Sequence, residues 1–513
     1  MNVLFNLLSM FFILGTLPAQ PTIEWQRSLG GNSVEDATSV QQTNDGGYIA
    51  VGLARSSNGD VSGVHGETDF WVVKLNHAGQ IQWQRALGGT SYDVAYAVRQ
   101  TQDGGYIVAG KTLSNDGDVS GNHGDYDFWV IKLNNNGTLE WQKTLGGTGE
   151  DVAKSVQQTL DGGYVLAGWS YSNDGDAVGN TGFHFWVVKL NNFGILEWQN
   201  SFGGSSGEMA HSIVQTSDGG YILTGETYSN DGDVSGSHGD SEFWVVKLTN
   251  LGEIVWQKTL GGCCIEQAFS IVQTNDGGYI VAGTTGSHNS GQVSGGYGFF
   301  DCWVVKLNSF GIIQWQKALG GNAEDYGRCI QQTNDDGYIV LGSTYSTDGD
   351  VTENDGGVDF WVVKLDGSGQ ILWEKTLGGS DTEIGSTIQQ TSDGGYILAG
   401  YTHSSDGDVM GFHGSRDGWI VKLSPESSPT FSPETQALEI YPNPAQQSIT
   451  LKITSQQPTL FINIIDFSGQ ELSRQTISNG QNVDVSNLPN GLYLVTATTT
   501  FGKVFSGKFL KME

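Results

Sequence analysis

Apolar and polar positions alternate in short runs along most of the chain, and the runs return at a fixed spacing. The second copy shows the plan. Ala95-Tyr-Ala-Val-Arg-Gln-Thr101, Gly105-Tyr-Ile-Val-Ala-Gly-Lys-Thr112, Phe128-Trp-Val-Ile-Lys-Leu133 and Leu139-Glu-Trp-Gln-Lys-Thr144 are segments of strand length, rich in β-branched and aromatic residues. We label them a, b, c and d. Asp103-Gly104-Gly105 separates a from b, and Asn134-Asn135-Asn136-Gly137 separates c from d. Glycine takes positive φ at little cost, so both breaks predict tight turns. Four short antiparallel strands in succession form a meander, the unit of a propeller blade. Runs of Ala, Leu, Glu and Lys at helical spacing are missing, so the expected fold class is all-β.

The c–d unit is the best preserved. Its Trp129 and Trp141 return as Trp71 and Trp83, Trp186 and Trp198, Trp244 and Trp256, Trp303 and Trp315, and Trp361 and Trp373. The period is about 58 residues, in the range of propeller blades and solenoid units. Trp25, in Ile23-Glu-Trp-Gln26, belongs to a d segment without a c. Trp419, in Trp-Ile-Val-Lys-Leu423, belongs to a c segment without a d. A closed ring of seven blades over residues 20–423 accounts for both, with the N-terminal segment as outer strand of the last blade. Closure also removes two sheet edges that an open array would expose.

The pattern Lys132-Leu-Asn-x-x-Gly-x-x-x-Trp141 resembles the tryptophan-docking motif of quinoprotein-type propellers, and the whole period resembles the repeats of secreted bacterial propellers. The resemblance covers residues 23 to 423. It implies that each outer-strand Trp packs between neighbouring blades, and it speaks to fold rather than activity. Trp169 alone stands outside the repeat pattern, and a sugar-stacking platform fits it best among the tryptophans.

Composition shifts after Leu423. Ser424-Pro-Glu-Ser-Ser-Pro-Thr-Phe-Ser-Pro433 opens a Pro/Ser linker over 424–436. Residues 437–513 then alternate as the strands of a small β-sandwich. Tyr441-Pro-Asn-Pro444, Ile465-Asp-Phe-Ser-Gly469, Asn490-Gly-Leu-Tyr-Leu-Val495 and Gly507-Lys-Phe-Leu-Lys511 resemble, in this order, the type A C-terminal sorting domain of the type IX secretion system of Bacteroidota. The resemblance implies Sec export to the periplasm and then outer-membrane passage by the type IX machinery. In that family the domain is usually removed, leaving the cargo released or anchored to surface lipopolysaccharide. Residues 1–19 fit the first step: an apolar stretch from Val3 to Leu14 ending in Leu17-Pro-Ala19 reads as a secretory signal, though without the usual basic start. No other apolar run has membrane length, so the mature chain is expected to lack a transmembrane segment and to reside outside the cell or on its surface.

Charge narrows the partners. With 24 basic and 55 acidic residues the formal charge is −31, which disfavours nucleic acid and anionic membranes. Cations, glycans and proteins remain.

The short a–b and c–d turns share one rim of the ring, so the longer d–a and b–c loops share the other. Acidic residues gather in those longer loops: Glu35 and Asp36, Asp93, Glu150 and Asp151, Glu208, Glu266, Glu324 and Asp325, and Asp381 with Glu383. A concave site is therefore expected on the long-loop face. In the b–c loop of blade 2, Asp116-x-Asp118-x-Ser120-Gly121 with Asp127 at the twelfth position follows the spacing of oxygen-rich Ca²⁺ loops. Blade 1 offers Asn58, Asp60, Ser62 and Asp69, blade 4 offers Asp231, Asp233, Ser235 and Glu242, and blade 7 offers Asp406, Asp408 and Asp417. Blade 6 keeps Asp348, Asp350 and Asp359 without the Gly, blade 3 runs one residue short, and blade 5 lacks the set. Flanking helices, which an EF-hand requires, are missing, and the same residues also make Asx-turns that order a loop without metal. His65, His123, His238 and His413 read as hydrogen-bonders that order these loops.

Cys263 and Cys264 adjoin in a d–a loop. Quinoprotein dehydrogenases carry a vicinal disulfide beside their quinone, but they have eight blades, and their base and cofactor residues find no counterpart here. Cys302 and Cys329 read as buried thiols, and four cysteines allow three full pairings. Glycan hydrolysis requires a carboxylate pair across a cleft. The pairs Glu35/Asp36, Glu150/Asp151 and Glu324/Asp325 recur with the repeat, which points to loop capping or a solvated rim. No Gly-x-Ser-x-Gly, Walker A or zinc-spaced cluster is present. Near-identical blades favour a binding or adhesion module for a glycan or protein over a polysaccharide-acting enzyme, because an active site breaks repeat symmetry. A structural surface protein is the third reading.

Overall fold

The structure, a computed structural model, describes residues 20–178, 182–426, 436–453, 459–466, 471–499 and 504–512. The expected signal at 1–19 and most of the expected linker lie outside the described residues. Among those residues there is no helix. The chain divides into two compact units, 1–427 and 428–513.

The first unit is seven four-stranded meanders. Blade 1 comprises Glu35–Gln42, Tyr48–Ala54, Asp69–Leu75 and Ile81–Leu87, and blade 2 comprises Asp93–Gln100, Tyr106–Thr112, Asp127–Leu133 and Leu139–Leu145. Blade 7 takes Glu383–Gln390, Tyr396–Thr402 and Asp417–Leu423 from its own repeat and Ile23–Leu29 from the N-terminus. That strand runs antiparallel to Asp417–Leu423, from Ile23 opposite Leu423 to Leu29 opposite Gly418. Each innermost strand packs on the innermost strands of both neighbours, the seventh on the first, so the ring is closed.

Three repeated devices hold the ring, the first within each blade and the other two between neighbours. The c-strand tryptophans are buried, and each indole N–H donates to the outer-strand amide or carboxylate opposite, from Trp71 to Gln84 through Trp361 to Glu374 and Trp419 to Gln26, at 2.7–3.0 Å. The outer-strand tryptophans dock on the next blade, as the motif implied: Trp25 on Tyr48, Trp83 on Tyr106 and so on to Trp373 on Tyr396, with ring centroids 5.5–6.0 Å apart. The c–d turn glycine is needed there. Gly79 has φ 74°, and a Cβ on it would lie 2.6 Å from the Trp25 ring. At the axis, the last residue of every innermost strand is Gln, and its Oε1 accepts a backbone N–H from the preceding blade's a–b turn at 2.8–2.9 Å, Ser392 to Gln42 completing the circle.

Within each blade a buried c-strand Lys reaches the a–b turn. Lys74, Lys132, Lys189, Lys247, Lys306, Lys364 and Lys422 pair with Asp45, Asp103, Asp161, Asp218, Asp276, Asp335 and Asp393 at 2.8–3.0 Å. The Asp of each Asp-Gly turn is thus a structural anchor as well as a turn former.

The second unit has a five-stranded sheet, with Gly491–Thr499 between Val504–Lys511 and Thr459–Ile465, and a three-stranded sheet of Glu439–Tyr441, Ser448–Lys452 and Asn482–Asp484. Their core includes Leu451, Ile462, Val495, Phe505 and Phe509. Asn443 of the Tyr-Pro-Asn-Pro segment fixes the last strand, accepting from Leu510 N and donating to Lys508 O, both at 2.9 Å.

Deletion of residues 20–29 leaves Asp417–Leu423 as an unpaired edge. The expected outcome is a lower melting temperature and concentration-dependent association, measured by calorimetry and light scattering, with both reversed by a synthetic 20–29 peptide.

Candidate functional site

The acids that the sequence placed in the d–a loops are mostly first residues of the innermost strands, and they are buried rather than solvated. Glu35, Asp93, Asp151, Glu208, Glu266, Asp325 and Glu383 are all fully inaccessible. Each accepts the N–H of the second glycine in the preceding Gly-Gly, from Gly31 to Gly379, at 2.7–3.0 Å. Hydroxyls at the end of strand b complete the shell, as Ser114 Oγ does on Asp93 at 2.8 Å and Thr285 Oγ1 does on Glu266 at 2.9 Å. A buried carboxylate persists only with such donors. Loop capping is therefore the role of these seven, while Asp36, Glu150 and Glu324 are half-buried and Asp381 is exposed.

The Ca²⁺-loop residues fall into two groups. The first-position side chains face the adjoining d–a loop: Asn58 accepts from Asn32 N at 3.0 Å, Asp116 from Thr90 N at 2.8 Å, Asp231 from Ser205 N at 2.7 Å, and Asp406 from Ser380 N at 2.8 Å. Asp60, Asp118 and Asp233 accept from Gly30, Gly88 and Gly203 N at 3.2–3.3 Å, while Asp408 N donates to Gly378 O at 2.8 Å. Ser62, Ser120 and Ser235 offer their carbonyls to outer-strand Gln84, Gln142 and Gln257. The twelfth-position Asp69, Asp127, Glu242 and Asp417 are buried at the start of strand c, and one oxygen of each accepts from its loop histidine, His65, His123, His238 or His413. The other oxygen of each has no hydrogen-bond partner. Among the described residues no three His, Cys, Asp or Glu side chains gather as a metal set.

These free oxygens face the next blade's cap. A Cβ on Gly88 would sit 2.5 Å from Asp93 Oδ2 and 3.0 Å from Asp69 Oδ1, so two carboxylates of different blades converge on that glycine. Burial and neighbouring acids raise such groups, Asp301 to about 7 and Asp359 to about 6. The four cysteines are free thiols. Cys263 and Cys264 have sulfurs 2.9 Å apart near the surface, Cys302 is buried and Cys329 half-buried.

The axis holds residues the sequence reading passed over. Every innermost strand bulges at its fourth position, and the bulged residues are Thr38, Tyr96, Lys154, His211, Phe269, Arg328 and Ser386. A bulge re-aims its side chain. Here seven equivalent positions carry seven different residues, all half-buried. The signal was legible as the one column of the innermost strand in which no residue type recurs.

These side chains meet across blades. Lys154 Nζ lies 3.4 Å from the Tyr96 ring centroid and 5.2 Å from that of Trp169. Trp169 meets His211 edge-on at 5.9 Å, His211 meets Phe269 at 5.0 Å, and the Arg328 guanidinium covers Phe269 at 4.3 Å. Cations over aromatic faces are attracted by the ring quadrupole. Trp169, singled out by sequence, sits in this cluster. Burial lowers Lys154 to about 7, helped by Lys111 and Arg328, and the same burial holds His211 neutral at about 3. Glu226 is raised by burial to about 7, with Oε2 unpartnered. Neither Lys154 nor Arg328 has a carboxylate within 4 Å among the described residues.

Residues 439–511 match the secretion system C-terminal sorting domain. The chain is thus a β-propeller protein with an export tail. That tail is the sorting domain of type IX secretion, and the protein is handled by that machinery for export to the cell exterior. No helix among the described residues is long and apolar enough to cross a membrane. No curated protein matches the chain. Similar solved structures include YCF48 bound to D1 peptide, 8% identical over 80% of this chain and 99% of that one, with TM-score 0.41. The β-propeller domain of the Trilobed protease from Pyrococcus furiosus is 10% identical over 78% and 99%, also with TM-score 0.41. Puromycin hydrolase is 10% identical over 91% of this chain and 59% of that one, with TM-score 0.45.

Two sets of carboxylates give stability opposite pH slopes. Asp301 and Asp359, raised when folded, bind protons more readily than in the unfolded chain, so their contribution grows as pH falls from about 7 toward about 4. Asp45, Asp103, Asp218 and Asp276 are held at about 2, where hydrogen bonds from Thr and Lys outweigh partial burial. Their contribution is lost as pH falls from about 4 toward about 2. Calorimetry in metal-free buffer is expected to show the highest melting temperature near pH 4 to 5.

Proposed function

We propose that this exported propeller is a binding or adhesion module that takes a glycan or protein ligand at the axial end of its long-loop face. The observation that supports it is the ring of bulged positions. Everything that frames the blades is repeated, and at these positions no residue is used twice. The Arg328 guanidinium and the Lys154 amine, which burial brings to about 7, lie against aromatic faces with no paired carboxylate among the described residues, in a chain of net charge −31. Aromatic faces with flanking cations fit a glycan bearing acidic groups, stacked on Trp169.

Ser386 shows that the repeat tolerates serine at the bulge. The triple variant Lys154→Ser, His211→Ser, Arg328→Ser is therefore expected to keep its melting temperature. On a panel of soluble polysaccharides and an array of acidic and neutral glycans, it should bind at least about tenfold more weakly than the parent, in line with loss of charged contacts. Unchanged binding by the variant rejects this seat.

Calcium enters the proposal at the loops flanking the seat, through the unpartnered oxygens of Asp69, Asp127, Glu242 and Asp417. Calcium is expected to raise the melting temperature relative to chelator, and equal values remove calcium from the proposal.

The second reading is a polysaccharide-acting enzyme, favoured by Glu226, which burial poises as a proton donor near neutrality. Reducing ends released by the parent and not by Glu226→Gln would establish it.

A further inference from the structure

On the short-turn face the axis opens in a mouth, a cavity of about 450 Å³ ringed by the ends of the innermost strands. The seventh position of those strands decides its chemistry. Blades 6, 7, 1, 2 and 3 place Gln331, Gln389, Gln41, Arg99 and Gln157 there, and blades 4 and 5 place Val214 and Val272.

The amides have a fixed orientation. Gln41 Oε1 accepts from Gln100 N, Gln157 Oε1 from Gln215 N, Gln331 Oε1 from Gln390 N and Gln389 Oε1 from Gln42 N, at 2.6–3.2 Å. A backbone N–H can bond only to the oxygen of an amide, so in each the NH₂ group is the free end. None of these four nitrogens donates to a protein group among the described residues. Arg99 gives Nη1 to its neighbour Val98 O at 2.7 Å, and no carboxylate among the described residues pairs with it. The cavity therefore presents four amide donors and one guanidinium along five consecutive blades, with two valines opposite. It offers charge and donors, and no carboxylate lines it.

We propose that this mouth is a binding site for an aliphatic carboxylate, free or at the end of a peptide chain. The guanidinium and flanking amides take the carboxylate oxygens, and Val214 and Val272 take the alkyl group. A uronate shares the acid group but brings hydroxyls against the valines, so it is expected to bind less well. The site is separate from the bulge ring and does not depend on the reading given above.

The repeat supplies its own control. Four blades carry Gln where blade 2 carries Arg99, so Arg99→Gln is expected to fold and melt as the parent does. Titration calorimetry on the whole chain would use 4-methylpentanoate, its neutral amide, glucuronate, and an N-acetylated Ala-Leu dipeptide with free or amidated C-terminus. The expected result is saturable binding of 4-methylpentanoate and the free-acid dipeptide, weakened at least about tenfold by Arg99→Gln, with no binding of either amide. A uronate that binds more tightly than 4-methylpentanoate would overturn the aliphatic assignment. Amides that bind as well as acids, binding untouched by Arg99→Gln, or no saturable binding of any probe would overturn the site.

Discussion

A four-stranded sheet that is apolar on both faces cannot stand in water alone, and this constraint organises the propeller. Strands b and c are buried along nearly their whole length in every blade. Such a sheet needs a neighbour on each side, and only a closed ring gives every blade two. The hydrogen bonds from Ile23–Leu29 to Asp417–Leu423 are therefore not a local detail. They complete blade 7, and that strand also carries Trp25 to Tyr48 of blade 1 and sets Gln26 against Trp419.

Once the ring is closed, repetition separates frame from function. The turn Asp bound by the c-strand Lys, the buried cap on the Gly-Gly turn and the terminal Gln clamp each occur seven times. Each satisfies polar groups that blade packing removes from water. Their geometry accounts for them fully, and nothing is left over for a ligand. Variation is confined to places where the frame makes no demand, above all the bulged fourth position and the seventh position of the innermost strand. The aromatic stack between c strands shows the contrast. Phe70, Phe128, Phe185, Phe243 and Phe360 each meet the next blade's Trp at 4.3–4.8 Å, and the exceptions, Cys302 and Gly418, remain in buried interfaces that solvent does not reach.

The architecture was legible because it is written in period and turn chemistry. The orphan segments at Trp25 and Trp419 fix the closure before any coordinate is seen. The site was only partly legible. Asp93 looks like a loop acid because charge favours the surface, and its burial depends on the Gly89 N–H and on the Thr112 and Ser114 hydroxyls that the neighbouring strand brings. His123 before Asp127 was readable as a loop-ordering partner, being four residues away. Lys154 beside Tyr96 was not, because the two are 58 residues apart and face each other only through bulges. A bulge leaves no mark in the alternation of apolar and polar residues until the strand partners are known.

The same reasoning separates the cargo from its tail. The core of the C-terminal unit runs from Leu438 to Phe509, and no propeller core cluster draws on a residue beyond Leu423. Each unit buries its own apolar side chains. Both proposed sites are likewise built from strands between Glu35 and Tyr401, so the residues that would meet a ligand are positioned by the ring alone. The tail supplies the route to the outside, and the residues proposed to meet a ligand all belong to the propeller repeats.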